Sequence, residues 1–273
     1  MTYAAVLTHV QADPECQPRL GCAVDVAKRF GAALIGVGAE MIPPLTMDAG
    51  YGVTADWTSA LRGAIEAGLK AAHETFEEAA GGVAEKHWRC GLQLPGPAVA
   101  AASRAADLIV AGGAPLRRHD PYRDGAPAEL AVTSGRPVLV APPNARPLRA
   151  EQILLAWKDT REARRAMADA MPFFEKAQRV IVAALCPAAD AEDAAVQVED
   201  VVRALSRRDV RAEAKVVESR HPDGFQLLAL AAREGADLIV AGAYGHSRLG
   251  EWVFGGVTQD LLSQDQLHVL LSH

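Results

Sequence analysis

Short apolar runs alternate with longer amphipathic stretches along the whole chain. The runs are "VLTHV" (6–10), "AALIGVG" (32–38), "HWRCGLQL" (87–94), "DLIVAG" (107–112) and "PVLVAP" (137–142), then "ILLAW" (153–157), "RVIVAAL" (179–185), "VRAEAKVV" (210–217), "ADLIVAG" (236–242) and "HVLLS" (268–272). Runs this short and this apolar predict strands covered on both faces. "VRAEAKVV" alternates instead, as an edge or half-exposed strand does. Between the runs the apolar period changes to that of a helix. Residues 15–30, about 57–85, 160–177, 192–209, 224–235 and a stretch from about Gly255 are predicted helical. Ala163, Ala166, Met167, Ala170 and Phe174 form one stripe, and Val198, Val201, Val202 and Leu205 another. Trp57, Leu61, Ile65 and Leu69 predict a packed stripe on the long helix of the first half. Thr160 is the predicted N-cap of its helix, its hydroxyl accepting from a free N–H of the first turn.

The pattern occurs twice. "AADLIVAGG" (105–113) matches "GADLIVAGA" (235–243) at an offset of 130, which places Gly112 on Gly242 and Gly125 on Gly255. "AAVLTHV" (4–10) matches "EQILLAW" (151–157) at an offset of 147. The first half therefore carries extra sequence, and the Pro/Gly-rich segment 40–57 is its natural place. The halves meet in "APPNARPLRAEQ" (141–152), with a boundary near Arg146, giving units 1–146 and 147–273. Alternating strands and helices imply parallel pairing with helices on both faces. The expected fold is α/β, two tandem doubly wound parallel-sheet domains. Their final strands, "PVLVAP" and "HVLLS", are apolar edges that need cover, and pairing them would give an intramolecular pseudo-dimer.

Composition narrows the function. The 273 residues carry a formal net charge of −6, which argues against a broad nucleic-acid surface, since such a surface needs a basic stripe. There is no apolar run of ~18 residues to cross a bilayer, and the start "MTYAAVLTHVQADPE" lacks the pattern of a secretory signal. A cytoplasmic location is expected. Cys16, Cys22, Cys90 and Cys186 show no CxxC pair and no zinc spacing, and read as small residues of a reduced compartment. The acidic pairs at 77–78, 192–193 and 199–200 read as solvated helix faces, and His9 as a satisfied core or rim histidine. No Ser-His-Asp order or metal spacing names a catalytic set.

The candidate chemistry lies in "GAYGHSRLGEWVFGGVT" (242–258). Gly242 ends a strand, Gly245 follows, and Gly255 and Gly256 stand where a helix begins. Glycines let consecutive N–H groups converge on an anion, and a helix start adds its free N–H groups and dipole. Thr258 offers a hydroxyl, and His246 and Arg248 offer positive charge. The same glycines also suit an ordinary link between a buried strand and a helix, so the residues alone leave both readings open.

The spacing G-x2-G-x9-G of Gly242, Gly245 and Gly255, the tandem halves, the "ADLIVAG" strand and the "VLLSH" ending resemble the universal stress protein family, in its tandem two-domain form. The resemblance implies a stress-response role without robust turnover. It further implies ATP, with Mg²⁺, held across the glycine loop and the end of the first strand of the second half. The residues at those places are Ala156, Lys158, Asp159, Gly242, Gly245, His246, Arg248, Gly255, Gly256, Val257 and Thr258. Two departures weaken the site. Gly256 stands where the family usually has Ser or Thr, and Lys158 where it has an Asp that contacts the nucleoside. In the first half, Pro115 replaces the glycine matching Gly245, Gln11 takes the Asp position, and Arg117, Arg118 and Arg123 make a basic loop; no ATP is expected there. Two other readings stand beside this one: a nucleotide-free protein-interaction module and a slow ATP hydrolase. An adenine nucleotide, an unidentified protein and a second copy of the chain are the partners it implies.

Overall fold

All ten apolar runs form strands of one sheet in the computed structural model, which describes residues 2–43, 55–113, 120–144, 146–219, 223–243 and 256–273. The first half runs β1 (Ala5–His9), α1 (Gln17–Phe30), β2 (Ala33–Glu40), α2 (Ala55–Ala79), β3 (Lys86–Leu92), α3 (Pro95–Ala102), β4 (Leu108–Gly112), α4 (Pro127–Thr133) and β5 (Val138–Ala141). The second runs β6 (Gln152–Ala156), α5 (Arg161–Asp169), α6 (Met171–Phe174), β7 (Arg179–Cys186), α7 (Ala191–Ser206), β8 (Ala212–Glu218), α8 (Asp223–Glu234), β9 (Leu238–Gly242), α9 (Gly256–Ser263) and β10 (His268–Ser272).

The strand order is β3-β2-β1-β4-β5-β10-β9-β6-β7-β8. Pairing is parallel within each half and antiparallel only where β5 meets β10, through Val140–Val269, Leu139–Leu270 and Val138–Leu271. The two apolar edges thus cover each other, which removes the exposed ladder each would otherwise present. The alternating strand β8 pairs with β7 alone and is an edge of the sheet.

Successive side chains of a strand point to opposite faces, and the core divides accordingly. Val6, Leu108, Ile153 and Leu238 lie in one apolar cluster, with α1, α5 and α7; Leu7, Ile109, Leu154 and Ile239 lie in the other, with α3 and α8. The repeated Asp of "ADLIVAG" has a structural task. Asp107 accepts from the N–H groups of Ala4 and Ala5 at 2.7 and 3.1 Å, and Asp237 accepts from those of Glu151 and Gln152 at 3.0 and 3.3 Å. Each carboxylate ties the start of its half's central strand to the strand beside it.

Two expectations change. The helix predicted over 160–177 is interrupted at Ala170, because Pro172 lacks an N–H and its ring crowds the preceding turn. The stripe on α2 is also incomplete: Ile65 is buried, but Trp57 is 48% exposed. A helix of 25 residues is ~37 Å long, whereas the eight-residue β2 spans ~26 Å, so the first turns of α2 overrun the sheet they cover.

Candidate functional site

In each half the chain leaves the central strand toward one neighbour and returns on the other side, so the order reverses between β6 and β9 in the second half and between β1 and β4 in the first. Ligands of such sheets lie beyond the carboxyl ends of the strands at that reversal. Ala156 pairs with Ala241 there, which brings Ala156 and Gly242 together on adjacent strand ends. Lys158 and Asp159 follow on the exposed turn into α5. Gly256 opens α9 and is exposed, Val257 is half-buried and Thr258 is buried. Gly245, His246, Arg248 and Gly255 lie outside the described residues.

Gly242 has a packing reason of its own. A Cβ there would sit 2.6 Å from the Ala163 nitrogen and 2.7 Å from the Glu162 carbonyl carbon, so the first turn of α5 packs directly on the strand end. A Cβ at Gly256 would meet open space. Thr160 caps α5 as predicted, its hydroxyl accepting from the Ala163 N–H at 3.3 Å. Asp159 pairs with Arg164 at 2.5 Å, both exposed.

Two further residues flank this crevice without a sequence signal. Glu162 is buried against Gly242. Burial pushes its carboxyl up, but hydrogen bonds from its own backbone, Thr160 and Arg161 outweigh that and hold it below the usual carboxylate range. It therefore carries a negative charge at the mouth. Trp157, between Ala156 and Lys158, is 8% exposed. Glutamates in helix first turns and tryptophans beside strands are common, and only the fold sets these two apart.

In the first-half crevice the protein's own side chains crowd the strand ends beside Gly112. The buried Arg19 of α1 donates from Nε to the His9 carbonyl at 2.8 Å and from a terminal nitrogen to Gln11 Oε1 at 3.0 Å. Its guanidinium lies 2.9 Å from where a Cβ on Gly112 would be. Gln11 passes the chain of contacts on, donating from Nε2 to the Arg123 carbonyl at 2.7 Å. The Arg123 side chain reaches Glu40 at 3.3 Å and Asp13 at 3.7 Å. Burial raises the Glu40 carboxyl above its usual range, Arg123 lowers it, and nearby aspartates raise it again. Beneath these groups is a cavity of about 100 Å³, walled by Val10, Ala39, Leu69 and Ala72. His9 is buried as expected, with Nε2 on the Ala39 carbonyl at 2.9 Å, but its Nδ1 has no partner. Pro115, Arg117 and Arg118 lie outside the described residues. Among the described residues no group of three or more His, Cys, Asp or Glu is placed to hold a metal ion, and no helix is long and apolar enough to cross a membrane.

The model of the universal stress protein family matches residues 128–272, from α4 through the whole second half and more than half of the chain. This chain belongs to the universal stress protein family. The fold agrees. A universal stress protein from Archaeoglobus fulgidus DSM 4304 superposes with a TM-score of 0.73 at 15% identity, covering 98% of this chain and 95% of that chain. A functionally unknown protein from Pseudomonas aeruginosa PAO1 superposes with a TM-score of 0.53 at 17% identity, covering 99% and 92%. At these identities both show a shared fold and nothing finer. No curated protein matches the sequence. Within this universal stress protein the matched segment includes every candidate residue of the second-half crevice.

Proposed function

We propose that this universal stress protein is a cytoplasmic stress-response protein of two units, 1–146 and 147–273, whose second unit takes an adenine nucleotide weakly and uses its occupancy as a signal. The supporting observation is the meeting of Ala156 and Gly242 at the strand-order reversal, with open space in front of Gly256 at the start of α9. Gly245, His246, Arg248 and Gly255 would complete the cradle. Free N–H groups at a helix start favour phosphate, whereas the Glu162 carboxylate opposes it. The ligand of this reading is therefore the Mg²⁺ complex of ATP, with Lys158 and the metal offsetting that charge. Calorimetric titration with ATP and Mg²⁺ tests it. Heat and a thermal shift at millimolar nucleotide are expected, and their absence at saturation removes the site.

A second reading, a nucleotide-free interaction module, is favoured by the packing of Glu162 and Ala163 on Gly242, because a glycine required by the helix needs no ligand to explain it. It predicts that released small molecules, sought by mass spectrometry of protein purified without added nucleotide, contain no adenine compound.

A further inference from the structure

Val10 and Trp157 hold the same place in the two halves. His9 pairs with Val37 across β1 and β2, and Ala156 pairs with Ala183 across β6 and β7. The next residue in each case donates its N–H back to the same carbonyl: Val10 to Val37 at 2.9 Å, Trp157 to Ala183 at 2.7 Å. Both lie in the same apolar cluster, on the face covered by α1 and α2 in one half and by α5 and α7 in the other.

What differs is the volume each side chain fills. Val10 leaves the cavity of about 100 Å³ between the ends of β1 and β2 and the helix α2. Trp157 is buried at the corresponding place, in one cluster with Ala194 and Val198 of α7. Its indole N–H is buried with no hydrogen-bond partner. A buried tryptophan usually finds one, and an unpaired buried donor opposes the fold. Packing alone therefore holds the ring where it is, against a polar penalty.

We propose that Trp157 is the residue that decides what the second crevice accepts. Its indole fills the space beyond the end of β6, at the place of the first-half cavity, that a flat nitrogen heterocycle would otherwise enter. A ligand of this crevice is then held by its phosphate end and read poorly at its base. This rests on the proposed nucleotide site for the identity of the ligand, but the steric claim stands or falls separately. The unpaired N–H gives the filter a polar side as well, since an acceptor on an entering ring would relieve it only if the indole turned aside.

The test compares Mg²⁺-ATP with adenosine, which has no phosphate, by calorimetry on the wild type and on Trp157→Phe, Trp157→Leu and Trp157→Val, each confirmed folded by circular dichroism. Adenosine binding should strengthen as the side chain shrinks, reaching about tenfold or more over wild type in the valine variant. If the valine variant does not fold, the leucine variant carries the same comparison with the phenylalanine variant. A folded small-residue variant that gains nothing for adenosine overturns the proposal, even if the wild type binds Mg²⁺-ATP. A wild type silent to both ligands, with a variant that takes adenosine, supports the proposal while the nucleotide function of the native protein fails.

Discussion

Tyr3, at the very start of the first half, donates its hydroxyl to the Asp169 carbonyl of the second at 2.6 Å, and its ring stands 5.5 Å from that of Phe173. Phe30 closes the triangle, 5.1 Å from Tyr3 and 5.2 Å from Phe173, both near edge-to-face. Arg29 lies over Phe173 and donates to the Arg149 carbonyl at 2.5 Å. The seam between the halves is thus a core in its own right. Tyr3→Phe removes one partly buried hydrogen bond and keeps the ring, so a loss of roughly 0.5–1.5 kcal/mol is expected. Scanning calorimetry would show it as one transition moved down by a few degrees; two separate transitions would show that the halves unfold independently of this contact.

Gly242 and Gly256 separate packing from binding. Gly242→Ala forces a methyl into the first turn of α5, and overpacking of this kind costs about 1–3 kcal/mol. Gly256→Ala meets open space in the first turn of α9 and should leave stability unchanged or raise it by roughly 0.4–1 kcal/mol. At the proposed nucleotide site, the second substitution is expected to weaken Mg²⁺-ATP binding without loss of stability. Equal affinity in both proteins would assign Gly256 to the helix start alone.

Arg19 is a buried cation serving two acceptors, the His9 carbonyl and Gln11 Oε1. Arg19→Met keeps much of the apolar stem but strands both acceptors, and hydrogen bonds to a charged group are worth about 1.5–3 kcal/mol. Arg19→Lys should recover little, because an ammonium cannot reproduce the planar fork. Urea denaturation of the three proteins checks the order; a lysine variant as stable as wild type would mean that charge, not geometry, is what the site uses.

Acid should weaken the fold from pH 6.5 downward. Burial lowers the His9 imidazole to about 3, with Arg19 lowering it further and the Ala39 carbonyl opposing, and burial alone lowers that of His268 to about 4. Both values lie below the unfolded value of 6.5, so in this window the unfolded chain binds more protons than the native one. Stability is then full above pH 6.5 and falls as the pH drops toward 4, by about 1.4 kcal/mol per pH unit for each histidine. His268→Gln should remove its share of that slope. Denaturant midpoints at pH 7.0, 6.0 and 5.0 give the answer, and parallel slopes for variant and wild type would deny His268 this part.

The strands were legible because a strand buried on both faces must be a short apolar run, and "HVLLS" and "RVIVA" have no other stable use. The edge position of β8 was legible in its alternation, and the capping of α5 in Thr160. Three features were not. Pro172 sits inside a continuous apolar stripe, and a stripe records which face is buried, not whether the backbone is unbroken. Trp57 continues the spacing of Leu61 and Ile65, yet spacing says nothing of where the sheet beneath ends. Gly242 reads alike whether an anion or a helix approaches it, since either needs the same missing Cβ; the 2.6 Å approach of the Ala163 nitrogen to a Cβ placed there is visible only in the fold. For the candidate site, the sequence pointed to the ends of β6 and β9, while Glu162 and Trp157 carry no signal in it, because their neighbours come from distant parts of the chain.

Because β5 and β10 run against each other, the strand direction reverses where the two halves meet, and the twist of roughly 20–25° per strand turns the outer strands further. The two crevices therefore open in different directions from the shared sheet and do not lie side by side on one edge of it. Whatever sits in one mouth has no direct view of the other. Occupancy of one mouth can be felt at the other through the antiparallel rib of Val138–Ala141 and His268–Ser272 and through the aromatic seam of Tyr3, Phe30 and Phe173.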